Sequence, residues 1–133
     1  MNKEDIAVEK RNKGYNCAQA VVCSYCEDYG LNERDLFIAS EALGTGLGCT
    51  LGTCGALNAA CMVASMAKST GHLEKPDSKG KTYPLARQIT AAFKEEAGAL
   101  QCRQIKGIDS GTVLCECEEC VRIACRLIDR YIK

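Results

Sequence analysis

The chain has 133 residues, of which 47% are hydrophobic, 5% aromatic and none Trp. That length suits one domain with a sizeable core built from Ala, Leu, Ile, Val and Cys. Seventeen basic residues balance seventeen acidic ones, which excludes the electrostatic footprint of a nucleic-acid binder or a polybasic membrane surface. Lys10 and Arg11 are read as coating a solvated helix face.

The polar N-terminus, Met1-Asn2-Lys3-Glu4-Asp5, runs directly into an amphipathic pattern without an apolar signal region. Asn2 is placed to cap a first helix ending near Lys13, with Gly14 as its stop. Asn16 and Gln19 form a capping-box pair for a second helix. On it, Ala18, Val21, Val22, Tyr25 and Tyr29 share one face, Cys23 points outward, and Gly30 marks the end. Asn32 caps a third helix, whose stripe reads Leu36, Ala39, Ser40 and Leu43.

A glycine-rich loop follows from Gly44 to Gly52. It lacks the Gly-Lys-Ser/Thr ending of a P-loop, and Cys49 stands where a GxGxxG motif needs Gly. It is therefore read as a tight, close-packed turn. Thr53 is the expected N-cap of a helix to about Ser69, apolar or small on almost every side and hence the expected central, buried helix. The most apolar stretch, around Ala56 to Ala67, is too short and too polar to span a bilayer.

The segment from His72 to Lys81 reads as an exposed loop, with its single histidine outside any site. Thr82 opens a further helix with the face Leu85, Ile89, Phe93 and Ala97, closed by Gly98. An irregular connection holds Cys102 and Gly107. A final helix starts near Thr112 or Cys117 and runs to Tyr131, burying Val121, Ala124, Cys125 and Ile128. No segment alternates with period two. The expected fold is all-α: a single domain, residues 1–133, forming a compact bundle of about five to six helices around a central buried one.

Eleven cysteines in 133 residues reach the level at which composition alone suggests a disulfide scaffold or a metal protein. Without a secretory signal, a cytoplasmic, reduced chain is expected. Cys23–Cys26 and Cys117–Cys120 are both Cys-x-x-Cys pairs. Both fall in helices, too far apart in sequence for a zinc ribbon, and read first as packing residues.

Helix position is more informative. Cys17 and Cys54 follow the caps Asn16 and Thr53, which puts each at a helix N-terminus. There, free N–H groups and the helix dipole favour a thiolate. By contrast, Glu116, Glu118 and Glu119 argue mildly against Cys115 and Cys117 as nucleophiles, because nearby carboxylates raise thiol pKa values.

Four pieces of the chain carry a family resemblance. They are Gly14-Tyr15-Asn16-Cys17-Ala18-Gln19-Ala20; Gly52-Thr53-Cys54-Gly55-Ala56; the stretch from Phe93 through Gly98 to Cys102 and Gly107; and Cys120. Together they resemble the redox-active family described by its cysteine pattern, C_GCAxxG_C_C, a domain similar to part of split-Soret cytochromes. One position departs from the pattern: Ala59 stands where the family has Gly.

The resemblance selects Cys17, Cys54, Cys102 and Cys120 as redox thiols or as ligands of a cofactor or metal. It leaves Cys23, Cys26, Cys49, Cys61, Cys115, Cys117 and Cys125 as accessory or packing residues. It implies a redox-active protein, with electron transfer through a cysteine-ligated [2Fe–2S] cluster as the leading expectation. Two alternatives stay open: metal-free thiol–disulfide redox, and a structural interaction domain that binds zinc or copper. No Cys-x-x-Cys-His occurs, so covalent haem attachment is not expected. The implied partner is a redox protein, with no nucleic acid and no membrane insertion. A homodimer stays open. Whether the chain is an enzyme is undecided, since the sequence offers no general base and no recognisable reaction.

Overall fold

The computed structural model describes residues 1–133. Seven α-helices make up the fold: α1 (Lys3–Asn12), α2 (Cys17–Tyr25), α3 (Glu33–Ser40), α4 (Gly55–Lys68), α5 (Lys79–Ala97), α6 (Cys102–Ile105) and α7 (Cys117–Tyr131). There is no β-sheet; the one extended pairing is an isolated bridge between Thr53 and Gln101. The all-α expectation therefore holds. The added element is α6, whose four residues are too few to show a helical period.

The caps read from sequence form as expected. The Asn2 side chain accepts from the Asp5 N–H. Asn16 and Gln19 make a reciprocal capping box, and Asn32 accepts from the Asp35 N–H. Each satisfies N–H groups that the first helical turn leaves free. Gly30 and Gly98, in left-handed conformation, close the turn after α2 and the end of α5.

α2, rather than α4, is buried along its whole length: all nine of its residues are inside. It packs against α1, α3, α4 and α7. α4 presents Ala56, Leu57, Ala59, Ala60, Val63 and Ala64 inward but leaves Ser65 exposed. Small side chains on this inner face let α4 approach α2 closely. Ala59, at the position that departs from the family pattern, is fully buried.

Phe93, Ile89, Leu127, Ile128 and Tyr25 supply the bulk of the core. The Tyr25 hydroxyl is satisfied by donating to the Cys125 carbonyl at 3.1 Å and the Asp129 carboxylate at 2.9 Å. Two local expectations change. Cys23 is buried, its thiol donating to the Glu33 carbonyl of α3 at 3.6 Å, because α3 folds over the side of α2 that the periodicity left for solvent. The α3 stripe runs through Phe37, edge-on to Tyr15 at 4.9 Å, while Ala39 is exposed.

Candidate functional site

Four helices begin at one place, and each brings a cysteine there. Cys17 is the first residue of α2, Cys102 the first of α6 and Cys117 the first of α7, while Cys54 is the N-cap of α4. Cys120 lies one turn into α7, and Cys115 sits in the loop just before it. Cys54, Cys102, Cys115, Cys117 and Cys120 line one small cavity together with Ile105 and Lys106. Cys17 lies beside it: its sulfur is 2.5 Å from where a Cβ on Gly55, the neighbour of Cys54, would stand. The four cysteines selected from sequence thus come together, accompanied by two that were assigned to packing. The largest surface cleft, beside Lys94, Arg103 and Asp109, contains no thiol.

Backbone pairing between two distant loops builds the site. The Cys54 N–H donates to the Leu100 carbonyl at 2.8 Å, and the Cys102 N–H donates to the Gly52 carbonyl at 2.9 Å. The Gln101 side chain adds a 2.7 Å bond to the Leu51 carbonyl. This pairing draws Thr53 into the bridge with Gln101. The Thr53 hydroxyl then donates to the Asn58 side chain at 2.6 Å instead of capping α4, and the N-cap falls on Cys54, one residue later than expected.

The glycine-rich loop covers the cluster as a close-packed turn. A Cβ on Gly46, whose φ is +58°, would lie 2.4 Å from the Cys102 Cβ. One on Gly55 would lie 2.5 Å from the Cys17 sulfur and 2.8 Å from the Leu43 carbonyl oxygen. Both positions therefore require glycine for close approach, and Gly46 also for its positive φ.

The thiols are electrostatically unequal. The Cys120 thiol, and then the backbone N–H groups of Ala56 and Leu57, hold Cys54 below the ordinary thiol value against its burial. The place of Cys54 at the helix N-terminus, beside free backbone N–H groups, favours the same direction, although the sulfur makes no capping hydrogen bond. Cys117 is lowered to about 5, first by the Cys17 thiol and then, against burial, by the Arg11 guanidinium and the charge of Lys106. Cys17 moves the other way: it keeps its proton, shared with Cys117, and burial adds to that effect. Two neighbouring sulfurs do not both ionise, and the cations on the Cys117 side favour the thiolate there over the one expected at Cys17. Cys120 is likewise raised by Cys54, and Cys102 by burial, with Lys106 opposing. Arg11, read as part of a solvated face, instead turns toward this site.

Cys117 is the residue that sequence reasoning passed over. Its local signal was weak: Glu116, which precedes the helix, is not a favourable N-cap and makes no capping hydrogen bond, and the neighbouring carboxylates argued against it. The ambiguous start of the last helix concealed it. Of the remaining cysteines, Cys23, Cys26 and Cys125 are buried and Cys49 is exposed, and none of these lines the cavity. His72 is exposed and pairs with Asp77 at 3.0 Å.

The donor set is soft, and thiolates suit iron–sulfur clusters, zinc and copper(I) alike. No three Cys, His, Asp or Glu side chains converge to ligate a single metal ion; the sulfurs stand as neighbouring pairs. The space between them, about 20 Å³, admits about one water molecule.

An all-helical fold that gathers six thiols at converging helix N-termini defines a cysteine-centred helical protein. Residues 15–131 match the family model described as Putative redox-active protein (C_GCAxxG_C_C), and the chain belongs to this family. No curated protein and no solved structure matches it.

Proposed function

We propose that this chain transfers electrons through a cysteine-ligated iron–sulfur cluster of the [2Fe–2S] type. The proposed ligands are Cys17, Cys54, Cys102 and a thiol of the first turn of α7. Cys117 and Cys120 both reach the cavity from that turn, and helix position favours Cys117. The observation that carries the reading is that four separate helix N-termini each deliver one cysteine to a common buried point.

A four-thiolate cluster is anionic, and helix N-termini, Lys106 and Arg11 all offset negative charge there. When bound, such a cluster supplies a one-electron couple. The chain's own residues hold the thiolates, keep water out with the Gly44–Gly52 loop, and balance the charge.

The test is iron and acid-labile sulfide analysis of anaerobically purified or reconstituted protein. About two of each per chain are expected. Iron-free protein after reconstitution overturns the reading.

One observation favours a second reading, metal-free thiol–disulfide redox: Cys54, Cys117 and Cys120 line one small cavity as free thiols, and the pairs Cys17–Cys117 and Cys54–Cys120 perturb each other's ionisation. In that case oxidation of iron-free protein gives disulfides within these pairs, located by peptide mass mapping. Linkages scattered over the other cysteines count against it.

A further inference from the structure

Cys17, Cys54, Cys102 and Cys120 are each at most 7% exposed, and the space beside them holds about one water molecule. A centre of two irons and two sulfides occupies more than that, so some part of the surrounding wall moves when it enters. The backbone singles out one part. Thr45, Leu47 and Thr50, all in the Gly44–Gly52 loop, have φ of 54°, 64° and 66°. This is the left-handed region, which side chains disfavour and β-branched ones disfavour most. No other non-glycine residue of the chain has a positive φ.

Strain of this kind persists only while other contacts hold it, and here they are few. Of the nine residues from Gly44 to Gly52, only Gly44 and Gly46 are buried. Gly46 sits directly on Cys102, with no room for a Cβ between them. The Gly52 N–H donates to the Gly46 carbonyl at 3.0 Å, and the Gly52 carbonyl accepts from the Cys102 N–H at 2.9 Å. The Leu47 side chain lies against Gly52, where a Cβ would come within 2.4 Å of its Cγ, yet Leu47 is 53% exposed. A strained segment with so little buried apolar surface belongs at the low end of local stability.

We propose that the Gly44–Gly52 loop is a strained gate over the thiols, closed in this structure, that opens locally to admit iron and sulfide ions. Opening returns Thr45, Leu47 and Thr50 to negative φ. That release offsets the loss of the hydrogen bonds from Gly52 to Gly46 and from Cys102 to Gly52. The nature of the cargo rests on the function proposed above, whereas the opening does not. The two are read separately: hydrogen exchange of metal-free protein reports the gate, and the final iron content reports the function.

The experiment measures amide hydrogen exchange of the full, reduced, metal-free chain and of Thr45→Gly and Thr50→Gly. In wild type, the Gly52 and Cys102 amides are expected to exchange well before the helical amides of Val63 and Ile89, which wait for larger unfolding. Glycine enters the left-handed region without strain, so each variant favours the closed loop. The Gly52 and Cys102 amides are then expected to slow about three- to tenfold, the strain relieved outweighing glycine's greater freedom in the open loop. During anaerobic reconstitution with ferrous iron and sulfide, both variants are expected to take up iron more slowly than wild type and to reach the same final content. Wild-type Gly52 and Cys102 amides as protected as Val63 and Ile89 overturn the gate. So do exchange and iron uptake that are unchanged or faster in both variants. Should the exchange results hold while no protein binds iron, the gate stands and the cluster reading falls.

Discussion

A single cation illustrates how this site works at the scale of residues. Arg11, on the last turn of α1, reaches a sulfur 106 positions later in the chain and helps lower Cys117 to about 5. Arg11→Gln removes that contribution while Lys106 remains. In reduced, metal-free protein, alkylation of Cys117 by iodoacetamide is expected to need a higher pH in Arg11→Gln than in wild type. Arg11→Lys should recover part of the difference. The sign follows from charge: a nearby cation stabilises the thiolate, so its loss raises the pH at which the thiolate forms. An unchanged pH profile contradicts the assignment. A second comparison separates the two thiols of the first turn of α7. Cys117→Ser is expected to lose most of its iron, and Cys120→Ser to retain it; the reverse result makes Cys120 the fourth ligand. Much of this was legible in the sequence. Asn16 and Gln19 announce the start of α2 and hence the position of Cys17. The place of Arg11 was not, because a contact across 106 residues leaves no local pattern, and a charged residue on an amphipathic helix looks the same whether it faces water or a thiolate.

Local rules worked best at the scale of elements, wherever the determinant was itself local. The caps at Asn2, Asn16 and Asn32 lie within three residues of the N–H groups they satisfy. Elements set by distant pairing were less legible. The N-cap of α4 moves from Thr53 to Cys54 because Thr53 is engaged by Gln101. α6 was missed because four residues cannot display periodicity, and α5 begins at Lys79, before the expected Thr82. The junction of α2, α4 and the glycine-rich loop is the tightest point near the site. Gly55→Ala places a Cβ against the Cys17 sulfur and against backbone atoms of Leu43 and Gly44. Backbone yields little, so a loss of about 1–3 kcal/mol is expected, read as a lower denaturation midpoint at unchanged slope. Asn16→Ala removes the capping box of α2 and is expected to cost about 1 kcal/mol by the same measurement. Wild-type stability in Gly55→Ala contradicts the close approach.

The whole molecule places four helix N-termini around one buried set of thiols. Its core of Ala, Val, Leu, Ile and Cys holds the helices close enough for that convergence. On the outer face of α7, Arg122 pairs with Glu4 and Asp5 at 2.9 and 3.0 Å, and Arg126 with Glu4 at 3.1 Å. Partly solvent-exposed pairs of this kind contribute little individually, but together they tie the start of α1 to α7. No helix is long and apolar enough to cross a membrane. The fold class was readable from the absence of alternation and the run of caps. The burial of α2 in place of α4 was not, because it depends on α3 closing over the Cys23 side. The central claim, that these converging thiols hold a one-electron centre, is tested most directly by electron paramagnetic resonance of the full chain, purified anaerobically and reduced with dithionite. The account predicts a coloured protein that bleaches partly and gains a spin-one-half signal, which is lost in Cys17→Ser and Cys54→Ser. A colourless protein that shows no signal after reconstitution and reduction contradicts it.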